Sequence, residues 1–155
     1  MEQNRYDDAI KTILPGIYQH YKGNYYEVLY IARHSETLEP MVVYKALYGD
    51  GGIWARPASM WNETVEHDGQ TVPRFKKLSL EERVGFYEGL FDDVSAAKDT
   101  STNDIKQKLR ILDDYYTSGQ WLKDYEADEK GLLPETLKRG VLSQDALYEL
   151  LINCS

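Results

Sequence analysis

A chain of 155 residues with 18 Lys and Arg against 26 Asp and Glu carries a net charge of −8, which makes it a poor partner for duplex nucleic acid. No stretch approaches the roughly 20 apolar residues needed to cross a bilayer, and a single cysteine, Cys154, excludes an intramolecular disulfide. The charge is also uneven: residues 1–79 hold nine basic against ten acidic side chains, and residues 80–155 hold nine against sixteen. The segment Met1 to Leu14 has no continuous apolar run and contains Asp7 and Asp8, so no secretory leader is expected and a cytoplasmic protein is predicted.

In chain order, Asn4 to Leu14 reads as a short helix with Ile10, Ile13 and Leu14 on one side, stopped by Pro15-Gly16. From Ile17 the period shortens. Ile17 to Lys22 predicts a first strand, and Lys22-Gly23-Asn24 supplies a hairpin turn. Tyr26, Val28, Tyr30 and Ala32 then alternate with Glu27, Leu29, Ile31 and Arg33, a half-buried strand. Met41 to Tyr48 is a further strand, and Ile53 to Arg56 is a short one that Pro57 ends or confines to an edge. Trp61 to Val65 and Thr71 to Lys76 flank the turn His67-Asp68-Gly69. Short strands at this spacing predict an SH3-like or similar partly open β-barrel over residues 1–78.

At Ser79 the period lengthens to that of a helix. Ser79 and Glu82 make a capping box, and Leu80, Val84, Tyr87, Phe91 and Val94 follow on one face. Ile105, Leu109, Leu112 and Tyr116 repeat the stripe until Ser118-Gly119 closes it. Trp121 to Ala127 predicts a helical turn, Pro134 opens a short helix ended by Gly140, and Ser143 caps a last helix with Ala146, Leu147, Leu150 and Leu151. The expected class is therefore α+β: a small β-barrel domain over 1–78 followed by an all-helical domain over 79–155.

The side chains that carry recognition chemistry cluster in the first half. Eight of the thirteen tyrosines precede residue 50, and tyrosine serves both β-cores and binding faces. Tyr18, His20 and Lys22 share one side of a strand if the alternation holds. Trp54 with Arg56, and Arg74 with Phe75, set a guanidinium beside a ring, a pairing that grips carboxylates or phosphates. Tyr18, His20, Lys22, Trp54, Arg56 and Arg74 are the candidate ligand-binding residues, for a small anionic ligand, a peptide or a protein partner.

Other patterns carry less. Asp124, Glu126, Asp128 and Glu135 fall at offsets one, three, five and twelve of a calcium loop, but Glu129 stands at offset six, where glycine is required. A solvated acidic turn is expected there. His34-Ser35-Glu36 names three catalytic residue types, yet adjacent residues splay rather than converge. No metal, cofactor or catalytic residue set is implied. The alternative to a binding module is an enzyme using His20 as general base and Arg56 as anion stabiliser.

Tyr18-Gln19-His20-Tyr21-Lys22-Gly23-Asn24-Tyr25, Val43-Tyr44, Leu47-Tyr48, Trp54-Ala55-Arg56-Pro57 and Arg74-Phe75 together resemble a small bacterial domain family of unknown function, over about residues 16–78. Tyr115 to Ser118, Trp121 to Asp124, Gly131 to Pro134 and Lys138 to Ser143 resemble a second uncharacterised bacterial family, helical, over about residues 80–152. The resemblances imply a two-part chain and bring no activity with them.

Overall fold

The structure is a computed structural model that describes residues 2–154, with side chains from residue 5 onward. Contacts divide the chain into two compact units between Leu78 and Ser79.

The first unit opens with helix α1 (Glu2–Thr12) and then builds strands β1 (Gly16–His20), β2 (Tyr25–Arg33), β3 (Pro40–Ala46) and β4 (Ile53–Pro57). A four-residue helix α2 (Ala58–Trp61) follows, then β5 (Thr64–His67), β6 (Gln70–Pro73) and β7 (Phe75–Lys77). Five strands form one antiparallel sheet in the order β4-β3-β2-β1-β7, and β5 and β6 form a separate hairpin. Of the expected partly open barrel, the structure contains the antiparallel sheet, and its ladder does not close: β4 and β7 stand at opposite edges. The β5–β6 turn is built from Asp68 and Gly69, both at positive φ, the geometry that tight hairpins select.

Three local readings also change. The expected phase of β2 breaks at Leu29, where the register slips between Val28 and Tyr30. The extra residue turns Tyr30 outward to 69% exposure and brings Ile31 onto the core face, opposite Val42. Ala9 in α1 and Ile13 just after it are buried, whereas Ile10 and Leu14 are exposed. Trp61, expected at the start of a strand, ends α2 instead, and its ring lies flat on Phe75 with centroids 3.8 Å apart. Tyr18 and Tyr44 meet Trp61 edge-on at 5.4 and 5.0 Å, which makes the core of this unit largely aromatic.

The second unit comprises α3 (Leu80–Ala96), α4 (Asn103–Thr117), α5 (Gln120–Glu129), a single 3-10 turn (Gly140–Leu142) and α6 (Gln144–Cys154). Both halves of the Ser79/Glu82 capping box form, at 3.2 and 3.0 Å. Val84, Leu112, Val141 and Leu147 are wholly buried, and Tyr87 stacks on Tyr115 at 3.5 Å. The helix expected to start at Pro134 does not form. Leu137 N–H closes a turn on the Pro134 carbonyl, and Arg139 reaches back to Asp128 and to that same carbonyl. Gly140 therefore begins the 3-10 turn rather than ending a helix. The acidic stretch is corrected too: Asp124 lies within α5 and is 1% exposed, so it is no solvated turn.

Glu88, 4% exposed on α3, supplies the missing link between two elements of this unit. Its carboxylate accepts from the backbone N–H groups of Gly140 at 3.1 Å and Val141 at 2.7 Å. An amide has one acceptor oxygen where the carboxylate has two. Glu88→Gln is expected to cost about 2 kcal/mol, read as a lower urea midpoint by far-ultraviolet circular dichroism; an unchanged midpoint would show that the clamp is dispensable.

Candidate functional site

The pleat of the five-stranded sheet decides which side chains share a face. Directly paired residues point the same way, and the ladder pairs Tyr18 with Tyr26, His20 with Phe75, Tyr44 with Trp54 and Val42 with Arg56. Tyr18, His20, Tyr26, Tyr44, Trp54, Arg56 and Phe75 therefore all project from one face. Trp61 packs on that face against Tyr18, Tyr44 and Phe75.

Tyr18 is corrected from site to core. It is 6% exposed, and its hydroxyl donates to the Leu14 carbonyl at 2.8 Å. β1 keeps Tyr18 and His20 on one side but ends at His20, so Lys22, expected on the same side of the strand, lies in the turn instead; Trp61 packs against Tyr18 and makes that position interior.

His20 is half-buried, with its ring 4.5 Å from Tyr21, 4.9 Å from Phe75 and 6.4 Å from Tyr26. Its Nδ1 accepts the Lys22 backbone N–H at 3.2 Å, so in the neutral ring Nε2 carries the proton. That arrangement makes His20 a hydrogen-bond donor toward solvent and removes the lone pair a general base would need.

Burial holds the His20 imidazole below its ordinary pKa of 6.5, and the charges of Arg74, Lys22 and Arg56 lower it further. The folded state thus binds this proton less readily than the unfolded chain. The contribution of His20 to stability is present above pH 6.5 and is lost as the pH falls below it. A proton NMR titration of the His20 ring should give a midpoint under 6.5 that moves upward in Arg56→Ala; a midpoint at 6.5 in both proteins would contradict this coupling.

Arg56 makes no hydrogen bond or ion pair among the described residues, and its guanidinium carbon lies 5.7 Å from the centre of the Phe75 ring. Arg74 gives one Nη to the Glu63 carboxylate at 3.2 Å, while its Nε is buried without an acceptor. The indole Nε1 of Trp61 is buried without one as well. Lys22 is exposed, its ammonium 5.8 Å from the Tyr21 ring.

Tyr26 and Tyr48 share a hydroxyl–hydroxyl bond of 2.7 Å, and burial followed by Tyr48 pushes the Tyr26 phenol pKa well up. Trp54 is 61% exposed, two residues along β4 from Arg56. A Cβ at Gly52 would come within 3.2 Å of its indole nitrogen, so glycine there lets the ring lie along the strand.

Of the six candidate residues, Tyr18 is buried, Trp54 is exposed two residues along β4 from Arg56, and the charges of Arg74, Lys22 and Arg56 bear on the His20 imidazole. Sequence reasoning did not single out Trp61, Tyr26 and Tyr48. Tyr26 had a signal, since the Lys22-Gly23-Asn24 turn fixes it opposite Tyr18; Trp61 had none, because it reaches the sheet from a different element. Among the described residues no group of acidic, histidine or cysteine side chains has the arrangement of a metal site, and no helix is long and apolar enough to cross a membrane.

An antiparallel sheet followed by a helical unit makes this a two-part α+β protein. The chain belongs to the DUF1653 family, a protein family of unknown function, through residues 16–77, and residues 85–155 match DUF4298, a domain of unknown function. A crystal structure of a DUF1653 protein from Bordetella bronchiseptica is 40% identical over 45% of this chain and 92% of that one, with a TM-score of 0.43. No curated protein matches the chain.

Proposed function

We propose that residues 16–77 form a binding module for an oxyanion attached to a flat group, on an SH3-like frame. The frame is supported by the strand order, a meander whose last strand returns to pair with the first. The ligand class is supported by donors of this unit that lack acceptors among the described residues. Arg56 is unpaired, Arg74 Nε and Trp61 Nε1 are buried without partners, and the free nitrogen of His20 donates. A buried donor lacking an acceptor costs about 1–3 kcal/mol, so such groups call for an acceptor, and an oxyanion supplies several at once.

Trp54 adds an exposed ring roughly 7 Å along the strand from Arg56, which suits a ligand whose planar part and anionic part are that far apart. Phosphate and carboxylate share this chemistry. Pyrophosphate and citrate titrated calorimetrically into the full chain test both. The double substitution Trp54→Ala, Arg56→Ala should abolish the binding heat while leaving circular dichroism unaltered; an unaltered affinity would remove this face from consideration.

A further inference from the structure

The two edges of the five-stranded sheet are protected unequally. β7 is three residues long and carries Lys76 and Lys77, the short, charged form that discourages pairing with another chain. β4 has five residues, Ile53-Trp54-Ala55-Arg56-Pro57, with Ile53 64% exposed, Trp54 61% exposed and Ala55 exposed too. Only Pro57, at its end, blunts it.

The ladder also fixes which backbone groups face outward. Ala46 N–H donates to the Gly52 carbonyl at 3.0 Å, so Gly52, Trp54 and Arg56 turn their amides toward β3. The N–H and C=O groups of Ile53 and Ala55 then point away from the sheet, together with the Pro57 carbonyl.

We propose that β4 pairs antiparallel with β4 of a second copy of this chain, about a two-fold axis at Ala55. The short sequence is self-complementary in that register. Ala55 faces the partner subunit's Ala55 and the two exchange a pair of backbone hydrogen bonds. Ile53 N–H donates to the carbonyl of the partner subunit's Pro57, and the reciprocal bond forms by symmetry; proline's missing N–H falls at the end of the ladder, where its loss costs least.

On the site face, Trp54 stands directly opposite the partner subunit's Arg56, and Arg56 opposite the partner subunit's Trp54. Each guanidinium gains a ring to stack on, through its flat side, while the N–H groups on its edge remain directed at an anion. Pairing of identical patches closes after two copies and consumes both exposed edges. In this register each anion site, if the reading above holds, gains a second ring from the other copy. The area involved is small, so the dimer is weak and dissociates on dilution.

Sedimentation or light scattering of the full chain over a concentration series tests the pairing. The expected result is a dimer at high concentration, with Ala55→Pro and Trp54→Lys both monomeric and folded. The first substitution removes a ladder N–H; the second sets a lysine against an arginine. Trp54→Glu, which offers that arginine a carboxylate, should retain the dimer. A monomeric wild type at every concentration overturns the proposal, and so does a dimer that survives both Ala55→Pro and Trp54→Lys. Pyrophosphate titrated into Ala55→Pro separates this inference from the anion-binding reading. Arg56, His20 and Arg74 come from one copy, so binding persists in the monomer; absent binding in every protein sinks the site and leaves the edge pairing standing on its association data.

Discussion

Replacing Asp124 by alanine is expected to destabilise the helical unit by about 3–5 kcal/mol, the range seen when one partner of a buried ion pair is removed. Asp124 receives four hydrogen bonds: Arg83 Nε at 3.1 Å and Nη2 at 2.6 Å, the Tyr115 hydroxyl at 2.7 Å and Gln120 Nε2 at 3.0 Å. The residues come from α3, α4 and α5, so one carboxylate ties three helices. Its 1% exposure excludes water as a substitute acceptor, and the Arg83 side chain is only 17% exposed. Alanine therefore strands a guanidinium and a phenol together. Burial, followed by the Asp124 charge, pushes the Tyr115 hydroxyl far above its ordinary pKa, which keeps it a donor throughout the accessible range. A small domain is stable by only about 5–15 kcal/mol, so the loss should appear as premature melting of helical circular dichroism. Lys138→Ala, which breaks the exposed pair with Asp92, is the control and should leave the melting curve in place. Equal melting of the two variants would show that the buried network is not what holds these helices.

The second large effect is on binding. Arg56→Ala alone should weaken pyrophosphate binding by roughly tenfold to a hundredfold, the equivalent of about 1.5–3 kcal/mol for hydrogen bonds to a charged group. Its fold cost should be small, because the guanidinium satisfies no other polar group among the described residues. Arg74→Ala is a poorer probe, since it also breaks the ion pair with Glu63. Arg56→Lys keeps the charge but loses the planar fork, so partial recovery would indicate a contribution from charge alone, and full recovery would argue against bidentate contact. An affinity unmoved by Arg56→Ala would place any anion site elsewhere.

Local chemistry made much of the architecture legible. Ser79 and Glu82 announce a helix start three residues apart, and the structure contains the reciprocal bonds. Asp68-Gly69 marks a hairpin because few other residues adopt positive φ in succession. The change from a two-residue to a helical period near residue 79 separates sheet from helices, since each period reflects how one element meets its own core. Leu29 shows where such reasoning stops. A bulge is one extra residue whose presence depends on the neighbouring strand, and nothing within β2 signals that Ile31 rather than Tyr30 will face inward.

The candidate site divides along the same line. Its candidate members were chosen from the pairing of rings with guanidinium groups along single strands, as in Trp54 with Arg56. Its geometry was not legible there. Whether Tyr18 belongs to solvent or core, whether His20 has a free lone pair and whether Arg56 has a partner are questions about atoms tens of residues apart in sequence. Asp124 gives the plainest case: four acidic residues at near-calcium spacing look alike in the chain, and only the approach of Arg83 and Tyr115 selects one of them for burial.

By itself, then, the sequence determined that a β-rich half with aromatic and basic side chains precedes an acidic helical half, because period, caps and turns act over a few residues. The tertiary structure alone decided that β4 and β7 end at opposite edges of the sheet, that Trp61 packs on Tyr18, Tyr44 and Phe75, and that Asp124 is buried among three helices. Those outcomes follow from long-range packing, where side chains distant in sequence compete for the same volume.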